Sequence, residues 1–344
     1  MMIFLHLISL QKQLPEVYLP EAYSLFRIQF LALLSLLIFQ IAPDRVYISE
    51  IILTHYQEGI NMKNIKLVAL DLDGTLFNKE SRISKRNLET IKNATKLGIT
   101  VVISTGRPLN GLPFDQIKGS GIRYAITANG SAIYEIETGK CLREEAMNEE
   151  LFVPIVEYLL TKDIHMDAFI GGNGYSPMQC VKNGERLVVP EALKHYILNT
   201  RKRVDDLPQF IRDNHLKVQK MTLNFYPDEN GVFKDRAEVK NYLESNPNVT
   251  SVCGGYNNLE FTRAGVNKGV ALRALAKILS IDPAETMAIG DTENDLAIIK
   301  AAGIGVAMGN ATPAVKDQAD YVTDDNESDG VATAMEHFIP ALRS

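Results

Sequence analysis

After an N-terminal segment, the chain alternates short apolar runs with stretches of helical hydrophobic period. Residues 65–70, 99–104 and 286–290 are mostly apolar runs of strand length, while residues 84–97 and 268–279 place apolar side chains three or four positions apart. Strands that are apolar on both faces are typical of a parallel sheet with helices packed on both sides. The alternation therefore predicts an α/β fold built on a parallel core sheet.

The pattern changes in the middle of the chain, between residues 146 and 255. Predicted strands at residues 164–170, 217–226 and 249–253 have a more alternating character, and helices are predicted at 149–160 and 232–243. The first pattern returns afterwards. We therefore predict a discontinuous core, residues 62–145 and 256–344, interrupted by an inserted α+β domain at 146–255. A length of 344 residues suits two domains of ordinary size.

Residues 1–61 differ from the rest of the chain. Their apolar run at residues 30–39 is much shorter than the roughly 20 residues that a membrane-spanning helix needs. A long, mostly uncharged stretch precedes the run, unlike the short basic start of a secretory signal. Met62 stands directly before the first predicted strand. We interpret residues 1–61 as an extension, or an upstream reading of the gene, and expect no stable membrane association.

Composition excludes some partners and compartments. The net charge is −6, and the Lys and Arg residues are scattered without a basic stripe, so nucleic acid is not an expected partner. Cys141, Cys180 and Cys253 are far apart and form no Cys-x-x-Cys pair, so neither a disulfide framework nor a structural zinc site is predicted. A reducing cytoplasm fits this cysteine usage best.

Two carboxylates follow the first strand. Asp71 and Asp73 are one residue apart and precede Gly74, so an extended chain places both side chains on the same side. Two such charges repel unless a cation holds them, and a hard divalent ion, Mg²⁺ first of all, prefers oxygen ligands. The alternative is a strand that simply ends in a polar turn, which Asp-Gly favours.

Three further motifs lie at predicted strand ends or at a helix start, where open α/β sheets bind ligands. Thr105-Gly106 can donate a hydroxyl and an amide to a phosphate oxygen, and Lys268 begins a predicted helix, where positive charge favours an anion. Asp291 and Asn294 add a hard-metal ligand and an amide. Each motif alone has an ordinary reading as a turn, a solvated lysine or a helix cap. Together they supply what phosphoryl transfer requires.

These motifs resemble those of the haloacid-dehalogenase-superfamily phosphatases. Asn129-Gly130 and the runs at 307–311 and 329–331 are further similar to the Cof-type (subclass IIB) sugar-phosphatase branch, and the resemblance covers the chain from about residue 65 to its end. The four motifs that carry it are Asp71-Leu72-Asp73-Gly74-Thr75, Ser104-Thr105-Gly106-Arg107, Asn267-Lys268-Gly269 and Gly290-Asp291-Thr292-Glu293-Asn294-Asp295. The resemblance implies a Rossmann-like core with an α+β cap inserted between the second and third motifs.

The resemblance also implies roles for the motif residues. Asp71 would attack phosphorus and become an aspartyl phosphate, and Asp73 would protonate the leaving oxygen and then deprotonate water. Mg²⁺ would be held by the Asp71 carboxylate, the Asp73 carbonyl and Asp291. Asp295 and Arg107 would position these groups without themselves contacting the substrate or the metal. The groups that would hold the phosphoryl oxygens are the amides of Leu72 and Gly106 and the side chains of Thr105, Lys268 and Asn294.

We therefore expect a Mg²⁺-dependent phosphatase that acts on small phosphorylated metabolites. Sugar phosphates are the first expectation, with flavin mononucleotide and pyridoxal phosphate next. A phosphomutase of the same superfamily and a non-catalytic protein that binds phosphorylated metabolites are the alternatives. The motif groups address only the phosphoryl group and the metal, so the cap is expected to choose the substrate.

Overall fold

A computed structural model describes residues 64–255 and 257–343 of the chain. The predictions made for residues 1–61 lie outside this part. Within the described part, no helix combines the length and the apolar character needed to cross a membrane.

Within the described residues, the first sheet has eight strands in the order β14-β13-β12-β1-β2-β3-β4-β5. Neighbouring strands from β14 to β3 are parallel, and β4 and β5 add an antiparallel edge. The central strand β1 thus has parallel neighbours on both sides, as the apolar runs predicted. The strands are β1 (Leu67–Leu70), β2 (Thr100–Ser104), β3 (Tyr124–Thr127), β4 (Ala132–Glu135), β5 (Cys141–Glu144), β12 (Thr286–Gly290), β13 (Ile304–Ala307) and β14 (Tyr321–Val322).

Helices cover both faces of this sheet. Val68 and Leu70 of β1 belong to an apolar cluster that includes α1 and α11, whereas Leu67 and Ala69 belong to a cluster on the α8 side. Alternate residues of one strand thus enter two cores, which explains why the strand is apolar throughout. The core helices are α1 (Lys85–Lys96), α2 (Phe114–Ile117), α8 (Lys268–Ile278), α9 (Leu296–Ala301), α10 (Pro313–Lys316) and α11 (Gly330–Phe338).

The second sheet, as far as residues 64–255 and 257–343 show it, has six strands in the order β10-β11-β9-β6-β7-β8 and is mixed. The α/β fold with a second, mixed sheet confirms the predicted fold class. Residues Gly171 and Gly172, both at positive φ, form the two-residue turn between β6 and β7. The strands are β6 (Ile164–Ile170), β7 (Asn173–Pro177), β8 (Lys202–Val204), β9 (Lys220–Phe225), β10 (Val249–Val252) and β11 (Leu259–Arg263).

The two faces of the second sheet differ in chemistry. Met221 and Leu223 of β9 pack in an apolar cluster with helices on the outer face, while Lys220 and Thr222 line a cavity on the inner face. Strand β11 belongs to this sheet although it follows residue 255, where we expected the insertion to end. We call residues 146–263 the cap below. Its helices are α3 (Glu149–Leu159), α4 (Met178–Lys182), α5 (Glu191–Thr200), α6 (Leu207–Asp213) and α7 (Arg236–Glu244).

Candidate active site

Asp71 lies where β1 ends, at the start of one wide helical turn, Leu72–Leu76. Inside this turn Gly74 has φ +85°, and a Cβ at Gly74 would overlap the carboxylate of Asp291. Glycine is required here both by the backbone angle and by the close approach of the second strand end. The turn therefore holds Asp71, which is buried, next to Asp291.

Lys268 is the positive centre of the site. It is fully buried at the first position of α8, and the side chain of Asn267 caps the helix by accepting a hydrogen bond from the Val270 amide. Its Nζ lies 2.7 Å from Asp71 Oδ1 and 2.6 Å from Asp295 Oδ1. Burial lowers the pKa of Lys268, but Asp295 and Asp71 together raise it above its ordinary value. The ammonium group is therefore charged.

Asp295 organises the strand end around Asp291. Its Oδ2 accepts hydrogen bonds from the amides of Asp291 (3.1 Å) and Thr292 (3.2 Å), and its Oδ1 accepts one from Lys268. Asp291 itself accepts a hydrogen bond from Thr75 Oγ1 at 2.8 Å. Both oxygens of Asp295 thus accept hydrogen bonds from groups of the protein.

Burial and mutual repulsion raise the pKa values of Asp71 and Asp291. Burial raises the pKa of Asp71 well above its usual value, and Asp295 and Asp291 add to this rise against the opposing effect of Lys268. Burial and the neighbouring Asp295 raise the pKa of Asp291 to about 7. The protein groups around them do not fully compensate two negative charges at this point.

These carboxylates fit a divalent cation. Ligand oxygens of Asp71, Asp291 and Asp295 lie within 4.8 Å of one another, and all three residues are buried. Oxygen ligands of this kind suit a hard cation, whose charge would also compensate the carboxylates of Asp71 and Asp291. Asp71 and Asp291 were the predicted carboxylate ligands, and the buried acidic group is consistent with a divalent metal site.

Asp73 is not part of this acidic group. Its two carboxylate oxygens accept hydrogen bonds from Arg107 Nε (2.8 Å) and Nη2 (2.6 Å), and its side chain is 51% exposed. Arg107 also donates to the Gly111 carbonyl oxygen at 3.2 Å. The predicted acid/base residue thus stands at the cavity, held by a bidentate ion pair.

Thr105, Gly106 and Asn129 form another side of the site. Thr105 is buried directly after β2, and the amide of Asn129 donates to its carbonyl oxygen. Asn129 has φ +57°, and its Oδ1 accepts a hydrogen bond from Asn294 Nδ2 at 3.4 Å. A Cβ at Gly106 would come within 2.9 Å of Asn129 Oδ1 and 3.1 Å of Lys220 Nζ. A larger residue at position 106 would require the side chains of Asn129 and Lys220 to shift.

A buried ion pair of the cap contacts Asn129. Lys220 of β9 lies 2.5 Å from Glu260 of β11, and Asn129 donates to the same glutamate at 2.6 Å. Burial lowers the pKa of Lys220 despite the opposing effect of Glu260. A second pair joins Arg201 to Asp167 at 3.2 Å. Burial raises the pKa of Asp167, but Arg201, His165 and Ser176 together bring it below its usual range.

Core and cap together enclose a cavity of about 490 Å³. Most of the predicted site residues line it, whereas Leu72, Lys268 and Asp295 do not. The cap residues of the cavity were not predicted, because the alternating polar residues in the strand predicted at 217–226 are equally typical of a solvent-exposed face. The predicted residues at the cavity are Asp71, Asp73, Thr105, Gly106, Arg107, Asp291 and Asn294; the missed ones include Asp167, Arg201, Lys220, Thr222, Asn224 and Glu260.

Comparison with known proteins decides the family. Residues 68–335 match the model of the haloacid dehalogenase-like hydrolases. This chain belongs to that family. It is 32% identical to Phosphatase YwpJ of Bacillus subtilis over 295 residues, which are 80% of this chain and 100% of YwpJ. It is also 32% identical to the Bacillus subtilis 5-amino-6-(5-phospho-D-ribitylamino)uracil phosphatase YcsE over 280 residues, covering 80% of this chain and 96% of YcsE.

A solved structure gives the same result for the fold. The haloacid dehalogenase subclass IIB sugar phosphatase BT4131 superposes with a TM-score of 0.65 at 26% identity, covering 79% of this chain and 98% of BT4131. This hydrolase is therefore a phosphatase of the Cof-type, subclass IIB branch, as the motifs implied. Its substrates are small phosphorylated metabolites.

Proposed function

We propose that this hydrolase is a Mg²⁺-dependent phosphatase that works through an aspartyl phosphate on Asp71, with sugar phosphates as its first substrate class. Flavin mononucleotide and pyridoxal phosphate come next. The observation that carries the proposal is the position of Asp71, buried between the Lys268 ammonium and the carboxylate of Asp291. A carboxylate held in this way needs neither reorientation nor loss of hydration before it attacks phosphorus.

In the first step an oxygen of Asp71 attacks phosphorus, and the bond from phosphorus to the ester oxygen breaks. Asp73, at the open side of the cavity, gives a proton to the departing oxygen, which leaves as an alcohol. Lys268, Asn294 and Thr105, with the amides of Leu72 and Gly106, are the proposed donors to the phosphoryl oxygens. Lys268, together with Mg²⁺ when bound, would oppose the rise that burial causes in the pKa of Asp71 and so favour its ionised form.

In the second step a water molecule attacks the phosphorus of the aspartyl phosphate. Asp73, now ionised, takes the proton of this water, and the bond to Asp71 breaks to release phosphate. Both residues then return to their starting states. Arg107 donates hydrogen bonds to both oxygens of Asp73, as the ionised base of the second step requires, and in the first step a protonated Asp73 would have to release one of these hydrogen bonds.

Mg²⁺ would be held by the carboxylates of Asp71 and Asp291 and by the carbonyl of Asp73, and when bound it would neutralise charge between the nucleophile and the phosphoryl group. Asp295 would not be a ligand, because both its oxygens accept hydrogen bonds from Lys268 and the strand-end amides. We further propose that the core and the cap are separate domains and that the cap chooses the substrate.

Phosphate release from an ester panel tests the function. The intact chain with Mg²⁺ is expected to release phosphate from p-nitrophenyl phosphate and from sugar phosphates, and Asp71→Asn is expected to release none. Asp317→Asn, a surface aspartate on the core, is the matched control and should behave like the intact chain. Absence of phosphate release from the whole panel would refute a phosphatase function.

Product analysis separates the alternatives. A phosphomutase would convert one sugar phosphate into its isomer with little release of phosphate, and a binding protein would retain the ester unchanged. Chromatography of the reaction mixture with glucose phosphate therefore distinguishes hydrolysis, isomerisation and simple binding in one experiment. Isomer formation faster than phosphate release would favour the mutase.

A further inference from the structure

The inner face of the cap sheet carries polar side chains that are nevertheless buried. Lys220, Thr222 and Asn224 alternate along β9, and all three line the cavity with less than a tenth of their surface exposed. Asp167 on β6 and Glu260 on β11 extend the same surface. Burying polar groups is unfavourable unless they are paired or serve a ligand. A buried polar face of this kind suits a polar ligand.

The charges on this face balance. The cap residues described at the cavity include two cations and two anions, and these form the pairs Arg201–Asp167 and Lys220–Glu260. Each pair is buried, with side chains no more than 9% exposed. A ligand that brought a further charge to this surface would have to break a pair or remain uncompensated, and both are costly in a buried site.

One hydrogen-bond donor on this face has no protein acceptor. Asn224 is 6% exposed and lines the cavity, and its Nδ2 has no hydrogen-bond partner among residues 64–255 and 257–343. Thr222, the neighbouring polar residue on the strand, has a hydroxyl 3.3 Å from Glu260 Oε1 that can also accept a hydrogen bond. A ligand oxygen at Asn224 would remove the cost of an unpaired buried amide.

We propose that this surface binds a neutral leaving group rich in hydroxyl groups, with Asn224 and Thr222 as the residues that select it. The substrate is then a phosphate monoester of a sugar or polyol that carries no second phosphate, carboxylate or ammonium group. Val189, Pro190 and Leu193 line the same cavity and can contact the carbon skeleton of such a molecule. This inference rests on the phosphatase function proposed above and narrows its substrate class.

The first test compares leaving groups on the intact chain with Mg²⁺. Glucitol phosphate supplies a neutral polyol, whereas glucose bisphosphate, phosphoglycolate and phosphoethanolamine supply a charged leaving group. We expect kcat/KM for glucitol phosphate to exceed that for each charged ester by roughly 100-fold, because a buried site penalises an unpaired group heavily. Hydrolysis of p-nitrophenyl phosphate shows independently that the phosphatase is active.

Variants of the two selecting residues make the test specific. Asn224→Ala should lower kcat/KM for glucitol phosphate about tenfold more than for phenyl phosphate, because the phenyl ring has no hydroxyl group that could contact Asn224. Thr222→Val, of nearly the same shape, should act in the same direction and serves if Asn224→Ala does not fold. Asn241→Ala on the exposed face of α7 is the matched control and should leave both values unchanged.

The outcomes separate this inference from the proposed function. If p-nitrophenyl phosphate is hydrolysed but a charged ester is preferred, or both variants affect the two esters equally, the inference is wrong and the phosphatase function stands. If no ester is hydrolysed, the function is wrong, and calorimetric titration of the intact chain with glucitol phosphate and glucose bisphosphate decides the inference. Tighter binding of the bisphosphate would overturn it, and tighter binding of glucitol phosphate would support it.

Discussion

Arg107 binds both carboxylate oxygens of Asp73, and the same guanidinium lies 4.3 Å from the centroid of the Tyr196 ring. Tyr196 belongs to α5 of the cap, whereas Arg107 and Asp73 belong to the core. One side chain therefore connects the proposed acid/base residue with the cap. Arg201 lies 4.7 Å from the same ring centroid, so the tyrosine contacts a cation from each side of the cavity.

Replacing Arg107 should impair the positioning of Asp73 at the departing oxygen. Arg107→Met removes the bidentate pair and leaves the Asp73 side chain free to turn toward solvent. A general acid contributes about 10²- to 10⁴-fold, so we expect kcat for glucitol phosphate to fall at least tenfold more than kcat for p-nitrophenyl phosphate, whose leaving group needs little protonation. Arg123→Met, in an exposed pair with Glu135, is the control. Equal losses on the two esters would contradict a positioning role.

Lys268 should be essential for stability as well as for turnover. Lys268→Met leaves Asp71 and Asp295 buried without their cation, and removing one partner of a buried pair costs about 3–5 kcal/mol. Urea unfolding in EDTA measures this loss in the free energy of unfolding. Lys277→Met, exposed on the same helix, should change it by no more than about 0.5 kcal/mol.

A double variant checks that uncompensated charge is the cause. Lys268→Met combined with Asp71→Asn removes one of the two negative charges that the lysine balances, so it should be more stable than Lys268→Met alone. If the two proteins unfold at the same urea concentration, the loss comes from packing and the electrostatic account is wrong.

Glu260 should set the charge preference of the cap. Glu260→Gln keeps the shape of the side chain but leaves Lys220 without its anion, so the cavity gains a net positive charge. We expect the ratio of kcat/KM for glucose bisphosphate to that for glucitol phosphate to rise about tenfold or more, because a second phosphate can now replace the missing charge. Glu244→Gln at the exposed end of α7 should leave the ratio unchanged. A ratio unaffected by Glu260→Gln would contradict the charge-balance argument.

A chain that begins at Met62 is expected to fold and to retain full activity. Every residue in the proposed mechanism lies at Asp71 or later, and β1 begins at Leu67. Comparison of kcat/KM and of thermal unfolding for the shortened and full chains measures the effect. A large loss of activity or stability would show that residues 1–61 belong to the folded enzyme.

The core half of the site could be predicted because a parallel sheet brings strand ends together. Asp71 follows β1, Thr105 follows β2 and Asp291 follows β12, and these strands are direct neighbours in the sheet. Short-range sequence features then suffice to place polar residues at one edge. The family and the fold class followed from the same motifs.

The cap half could not be predicted because it depends on how two surfaces face each other. Lys220, Thr222 and Asn224 alternate with apolar residues, a pattern that normally indicates a solvent-exposed face. Only the tertiary structure shows this face turned inward toward Gly106. The hydrogen bonds between Arg107 and Asp73 were also not predicted, because they depend on side-chain conformation rather than on spacing in the sequence.

The most direct test of the mechanism is a burst experiment on Asp73→Asn with p-nitrophenyl phosphate and Mg²⁺. This ester needs little acid assistance, so Asp71 should still be phosphorylated, while loss of the base should slow the attack of water. We predict a rapid burst of one p-nitrophenol per chain without matching phosphate release, and mass spectrometry should locate the phosphoryl group on Asp71. Phosphate released in step with p-nitrophenol, or a phosphoryl group on another residue, would contradict the account.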